Sequence, residues 1–346
     1  MNFKKKLIKR IKENKNQLRI DEFISFALFE KNSYYIEKEP IGKKKDYITS
    51  PEISQMFGEI IGLYILNYWN NNINSEFNLI EFGPGNGTLL NDILRTTKLN
   101  TKFINSANIL LIEINRELTK IQKKAIKVFK PKSIKWTTKF ISNSKLPNII
   151  YMNEFFDCLP IRQFYKNKIW YEKVIVYKKD DKIFSIKNKK VEKKILIDYL
   201  ANYEKEGLVE ISFERIKLFN KLCKHIKENK GLLIIIDYGY HSPIKNFTLQ
   251  TISNHKKTHI FDNIGNQDIT SYVNFRELID ISKQYNLKLN YSSQKEFLIS
   301  NGIKERKSIL TKNIQNYEKV LIEKAFNKLV SFREMGNDFK FLILSS

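Results

Sequence analysis

The segment Glu81-Phe82-Gly83-Pro84-Gly85-Asn86-Gly87-Thr88 sets one acid and three glycines at alternate positions, between the apolar run NLIEF and the helical stretch LLNDILR. Glycines at a strand-to-helix turn let the main chain approach a ligand closely, and a helix N-terminus presents unpaired N–H groups. The spacing separates two cofactor classes. Nicotinamide-binding turns read G-x-G-x-x-G and seat a pyrophosphate on the helix. Here the pattern is acidic-x-G-x-G-x-G, and an acid at a strand end suits a cation such as the ammonium of S-adenosylmethionine (SAM). The turn therefore predicts a SAM site on Glu81, Gly83, Gly85, Gly87 and Thr88. Glu113, at the tip of the next apolar run, is placed to accept hydrogen bonds from ribose hydroxyls.

A second cluster, Asn153-Glu154-Phe155-Phe156-Asp157, follows the apolar run NIIYM. Two readings of it compete. Asn153 followed by aromatics resembles the loops of amino-methyltransferases, although Glu154 stands where those loops carry proline. Alternatively Glu154 and Asp157 form an active pair. A guanidinium stays charged at ordinary pH and presents a planar fork of donors, so one carboxylate can hold it bidentately while a second orients the attacking nitrogen. Asp237 and Tyr238 end a further apolar run and are candidates for the acceptor pocket. So are His255 and Asp268 downstream, with a helix N-cap as the plainer role for Asp268.

These residues must be positioned by strands and helices. The runs at 78–83, 108–114, 148–156, 231–239 and 339–344, with a weaker one at 133–140, are continuously apolar and alternate with helical stretches. That pattern predicts a largely parallel sheet covered on both faces, a Rossmann-like doubly wound α/β fold. Residues 1–75 read as a mainly helical region, with Ser50-Pro51 opening a helix on which Ile53, Met56, Phe57, Ile60 and Ile61 recur at helical spacing. Residues 76–346 read as the cofactor domain. Insertions at about 160–230 and 240–275 are expected to stand over its active rim; the first carries a hairpin turning at Lys179-Asp180-Asp181.

Composition narrows the classes further. Hydrophobic residues make up 42% and charged residues 28%, which suits a globular chain and not a disordered one. The net charge of +24 invites a nucleic-acid partner, but Lys, Asn and Ile crowd the whole chain, so compositional drift accounts for it. Two cysteines cannot build a disulfide framework or a thiolate metal site, and the four histidines lack zinc-binding spacing, so no metal is expected. No apolar run nears the roughly 18 residues that span a bilayer. The basic start lacks the apolar core of a signal peptide, so a cytoplasmic location is expected.

Six stretches together resemble one family: DYITSPEISQMFGEIIG, EFGPGNGTLLNDILR, NEFFDCLPIRQF, TLQ with a following His255, the G-x-x-DIT-x-x-V-x-F segment at 265–275, and MGNDFK. It is the MidA family of SAM-dependent methyltransferases, which includes the mitochondrial complex I assembly-factor methyltransferase and its bacterial relatives. The resemblance implies a helical N-terminal region, a Rossmann-like SAM domain and methylation of a protein arginine. For the mitochondrial members it implies a respiratory complex I subunit as substrate. Its SAM motif maps onto Glu81, Gly83, Gly85 and Gly87, and its acidic motif onto Asn153, Glu154 and Asp157. The chain departs from the family at Ser33 and Lys45, where glycine is expected, and at Asn274, where aspartate is expected. The alternatives are a methyltransferase for a nucleic acid or another amine, and a non-catalytic assembly factor keeping the fold. The glycine spacing opposes a nicotinamide oxidoreductase.

Overall fold

Five apolar segments become the parallel strands of the central sheet: β1 (Phe77–Phe82), β2 (Ala107–Ile112), β3 (Ser133–Thr137), β4 (Asn148–Asn153) and β5 (Gly231–Tyr240). With β6 (Lys288–Ser293) and β7 (Phe339–Ser345) they run in the order β6-β7-β5-β4-β1-β2-β3. The last strand, β7, lies antiparallel to both β5 and β6. This computed structural model describes residues 3–37, 48–141, 144–253, 256–312 and 314–346. His255 lies outside them.

The strands are apolar on both faces because both faces are covered. Helices Gln55–Asn72 and Thr88–Thr97 pack on one face around Phe57, Ile61, Leu90 and Ile93. Helices Phe213–Asn229 and Phe275–Lys283 pack on the other around Phe219, Leu222 and Leu278. Strand β6 (KLNYSS) escapes a search for apolar runs because it is an edge strand whose residues are exposed or half-buried.

Residues ahead of β1 divide between two cores. Gln55–Asn72 belongs to the sheet, whereas Phe3–Glu13 and Ile20–Phe29 pack with Ile175, Ile264 and Ile269 from the two insertions. The region is not wholly helical: Leu18–Arg19 pairs antiparallel with Val174–Ile175 of the first insertion. That insertion is a sheet in which Ile169–Lys178 and Ile183–Lys190 form the expected hairpin, closing at the Lys178–Ile183 pair. In the second insertion Asp268 opens a short strand, Asp268–Thr270, and caps no helix. The cap is Asn274, whose side chain accepts from the Glu277 N–H at 3.3 Å. Among the described residues no helix is long and apolar enough to cross a membrane.

Candidate functional site

Between β1 and β4 the strand order reverses, and there the carboxyl ends of the strands open a cavity of about 550 Å3. Its floor is the glycine turn. Gly83, Gly85 and Gly87 all have left-handed backbones, with φ of +60°, +55° and +79°. Two of them also lack room: a Cβ would stand 3.0 Å from the Phe155 ring at Gly83, and 3.3 Å from the Gln122 main chain at Gly87. Gly87 caps the helix Thr88–Thr97.

Two residues not singled out in the sequence hold this turn. Gln122 is fully buried; its Nε2 donates to the Gly85 carbonyl (2.8 Å) and to Oε2 of Glu113 (2.9 Å), while its Oε1 accepts from Trp136 (3.0 Å). It shares the buried stripe of the helix Arg116–Ala125 with Leu118, and a polar residue on that stripe was the available signal. Glu52, from the short helix Ser50–Ile53, accepts from the Thr88 hydroxyl (2.6 Å) and the Asn86 amide (3.2 Å).

The cavity acids are strongly perturbed. Glu81 is buried, accepts from the Tyr151 hydroxyl at 3.1 Å, and is pushed up to about 8 by burial and, secondarily, by the charge of Glu113. Burial also raises Glu113, against the hydrogen bonds it receives from the Asn115 N–H and Gln122. Glu154 has a left-handed backbone, φ +51°, uncommon for a residue with a side chain. Its Oε1 accepts from the Ser50 N–H and from Asn153 Nδ2, both at 3.2 Å. Burial, then the charge of Asp157, pushes it up to about 8. Among the described residues nothing hydrogen-bonds the other amide atom, Asn153 Oδ1.

Of the residues expected at the site, Glu81, Gly83, Gly85, Thr88, Glu113, Asn153 and Glu154 line this one cavity. Gly87 lies beneath it as the helix cap. Asp157, Asp237, Tyr238 and Asp268, expected beside the acceptor, are not among the residues that line it. Asp157 is near enough to Glu154 for its charge to act on it; burial lifts Asp157 to about 6, against the Tyr238 hydroxyl and the charge of Arg215. Asp237 is fully buried because its carboxylate accepts main-chain N–H groups of the neighbouring loop. Tyr238 packs against Tyr272 and Phe339. Asp268 accepts from the hydroxyl of Tyr35, and it is Tyr35 that lines the cavity. The first insertion contributes Glu214, Leu218 and Lys221, successive residues on one side of Phe213–Asn229.

Known proteins are similar to this chain in sequence and architecture. The profile of a family of S-adenosyl-L-methionine-dependent methyltransferases matches residues 60–292. The mitochondrial protein arginine methyltransferase NDUFAF7 of Xenopus tropicalis is 29% identical over 335 residues, covering 89% of this chain and 77% of that one. The Homo sapiens protein of that name is 28% identical over 338 residues, covering 90% and 76%. A Burkholderia thailandensis protein solved with S-adenosyl-homocysteine bound has the same fold, with a TM-score of 0.85 at 20% identity over 99% of this chain and 92% of that one. The mitochondrial relatives overturn the cytoplasmic location expected above. A chain's address is carried by segments read by receptors, and neither composition nor the lack of an apolar signal core reports it.

Proposed function

Since the chain belongs to the family of S-adenosyl-L-methionine-dependent methyltransferases, and so uses SAM, we propose that it methylates an arginine of a partner protein. A respiratory complex I subunit is the candidate that the family resemblance supplies. The observation that carries the reading is the contact between the two halves of the site: the Phe155 ring, next to Glu154, lies against Gly83 of the turn.

The residues fit the cofactor. Gly83 and Gly87 stand where a side chain has no room, and Glu81 is a buried acid raised by desolvation, which a cation would return to its ionised form. When bound, SAM supplies an electrophilic methyl group on a sulfonium sulfur. In this assignment Glu81 faces the methionine ammonium, the glycine turn lies along the ligand, and Glu113, oriented by Gln122 and the Asn115 N–H, receives the ribose hydroxyls.

Glu154 receives the acceptor. Its carboxylate is held by Ser50 and Asn153 through one oxygen, which leaves Oε2 for a guanidinium N–H. Desolvation makes that carboxylate a strong acceptor for a cation that cannot lose its proton. Asn153 Oδ1 is a further acceptor beside it. Rate enhancement then comes from alignment of the nitrogen in a water-poor cleft and from fixed charge around it.

A nucleic-acid acceptor is favoured by the charge of +24. It is opposed by Glu52, Glu154 and Glu214 on the cavity wall, which would repel phosphates. Mass spectrometry of proteins from cells with and without the gene tests the proposal. Methylarginine lost from one partner protein supports it; a methylated nucleotide as the only lost product refutes it.

A further inference from the structure

The loop carrying Glu154 is held from behind, by groups that never meet the cavity. The Glu154 N–H donates to the Ile236 carbonyl at 2.9 Å. The N–H groups of Phe156 and Asp157 both donate to Oδ2 of Asp237, at 2.9 and 3.1 Å. Oδ1 of Asp237 is taken by the Tyr238 N–H at 3.0 Å. On the other side of the same residue, Arg215 donates through Nε (3.2 Å) and Nη2 (2.7 Å) to the Phe156 carbonyl. The Ser271 N–H holds the Asp157 carbonyl at 2.9 Å.

Both side chains are out of water: Asp237 is 0% exposed and Arg215 1%. A buried guanidinium usually meets a carboxylate, because burying a charge is costly without a paired partner. Here the guanidinium donates twice to one main-chain carbonyl, with Asp157 and Asp237 near enough for their charges to act on it. A buried carboxyl group and a buried guanidinium are thus directed at the two polar groups of Phe156. That residue lies two positions beyond Glu154, whose left-handed backbone would relax if the loop were free.

We propose that Asp237 and Arg215 are positioning residues that clamp Phe156 from its two sides and thereby hold Glu154 toward the acceptor. This rests on the reading of Glu154 as the acceptor-binding acid. It assigns Asp237 a role through the main chain and gives Arg215 one that the sequence did not suggest. Neither residue hydrogen-bonds the glycine turn, Glu81 or Glu113; the clamped loop meets the turn through the Phe155 ring against Gly83.

The test uses two full-length variants. D237N is isosteric but turns one acceptor oxygen into a donor facing an N–H group. R215K keeps the charge but replaces the planar fork with a single nitrogen. S-adenosyl-homocysteine is the probe, with calorimetry for affinity, hydrogen exchange for the Phe156 and Asp157 amides, and carboxyl carbon NMR for the titration of Glu154. Affinity should stay within about threefold of the parent, since neither substituted side chain contacts the residues that would hold the probe. The two amides should exchange at least about tenfold faster, with those of residues 85–89 unchanged. The Glu154 titration should fall by about one pH unit or more, toward ordinary glutamate, as the side chain reaches water. An unmoved Glu154 titration overturns the proposal. So does a loss of probe affinity as large as the loss of amide protection, or loss of cooperative melting in both variants, because each assigns the pair to general support of the core. The underlying reading fails separately: if E154Q still forms methylarginine while D237N and R215K shift the titration, the clamp stands and Glu154 is not the acceptor residue.

Discussion

The main-chain N–H of Ser50 donates to Oε1 of Glu154 at 3.2 Å across 104 positions of sequence. Two residues further on, Glu52 accepts from Thr88 and Asn86 of the glycine turn. One short helix, Ser50–Ile53, therefore touches both halves of the site. It can do so because Pro51 sits at the start of the helix, where a missing N–H costs nothing, while the preceding Ser50 N–H remains free to donate outward.

Removing the acid of that helix should loosen the turn without unfolding the protein. For E52Q, S-adenosyl-homocysteine affinity should fall roughly 5- to 30-fold, or about 1–2 kcal/mol, the value of weakened hydrogen bonds to a charged acceptor. Calorimetry reads it, and parent-like affinity would show that Glu52 is a bystander.

Gln122 is a harsher position. Q122M keeps the volume but leaves the Gly85 carbonyl, Glu113 Oε2 and the Trp136 N–H without their shared partner. Loss of about 2–4 kcal/mol of stability is expected, on the scale of unsatisfied buried polar groups. Denaturant melts measure that, and affinity for the probe should fall with it. A fully stable variant would mean that water replaces the amide.

G83V should abolish probe binding. The residue would carry a branched side chain at φ +60° with its Cβ 3.0 Å from the Phe155 ring. Calorimetric binding at parent strength in the folded variant would contradict the cavity geometry.

Probe affinity should rise with pH. Glu81 in the free protein is pushed up to about 8, and a bound ammonium favours its ionised form, so binding releases a proton wherever the free acid is still protonated. Log affinity should climb below about pH 8, by at most about one unit per pH unit, and level off above it. E81Q should flatten the climb. The stability of the free protein runs the opposite way. A carboxyl whose folded value lies above its unfolded one stabilises the fold while protonated and loses that contribution as pH rises through the window between them. For Glu81 and Glu154 that window runs from the ordinary glutamate value of 4.5 to about 8. Thermal melts of the free protein should therefore decline from pH 5 to 8, and decline less in E81Q; a flat profile would show that the two acids are solvated.

E154Q should bind the probe within a few-fold of the parent and fail to form methylarginine. The amide keeps the shape of the acid but cannot offer the anionic acceptor that a guanidinium wants. Undiminished methylarginine formation would remove Glu154 from the reaction.

What the sequence determined by itself is local. The alternate glycines of 83–87 needed only their own backbone conformations to be recognisable, and the apolar runs of β1, β2, β4, β5 and β7 announced a sheet buried on both faces because burial acts on each strand along its own length. The tertiary structure alone decided which acids face the cavity. Glu154 and Asp157 are three residues apart and equally acidic in the sequence, yet the left-handed turn at 154 sends one to the wall and leaves the other inside with Tyr238 and Arg215. Asp237 looked like a rim residue because it ends a strand; it became the anchor of two amides because β4 and β5 are neighbours in parallel register. Gln122 and Glu52 gained their roles from partners 37 and 36 positions away. A carboxylate or amide carries no mark of its eventual partner: its direction is set by which strands pair and which loops they bring together, and in this chain those pairings join segments tens to hundreds of residues apart.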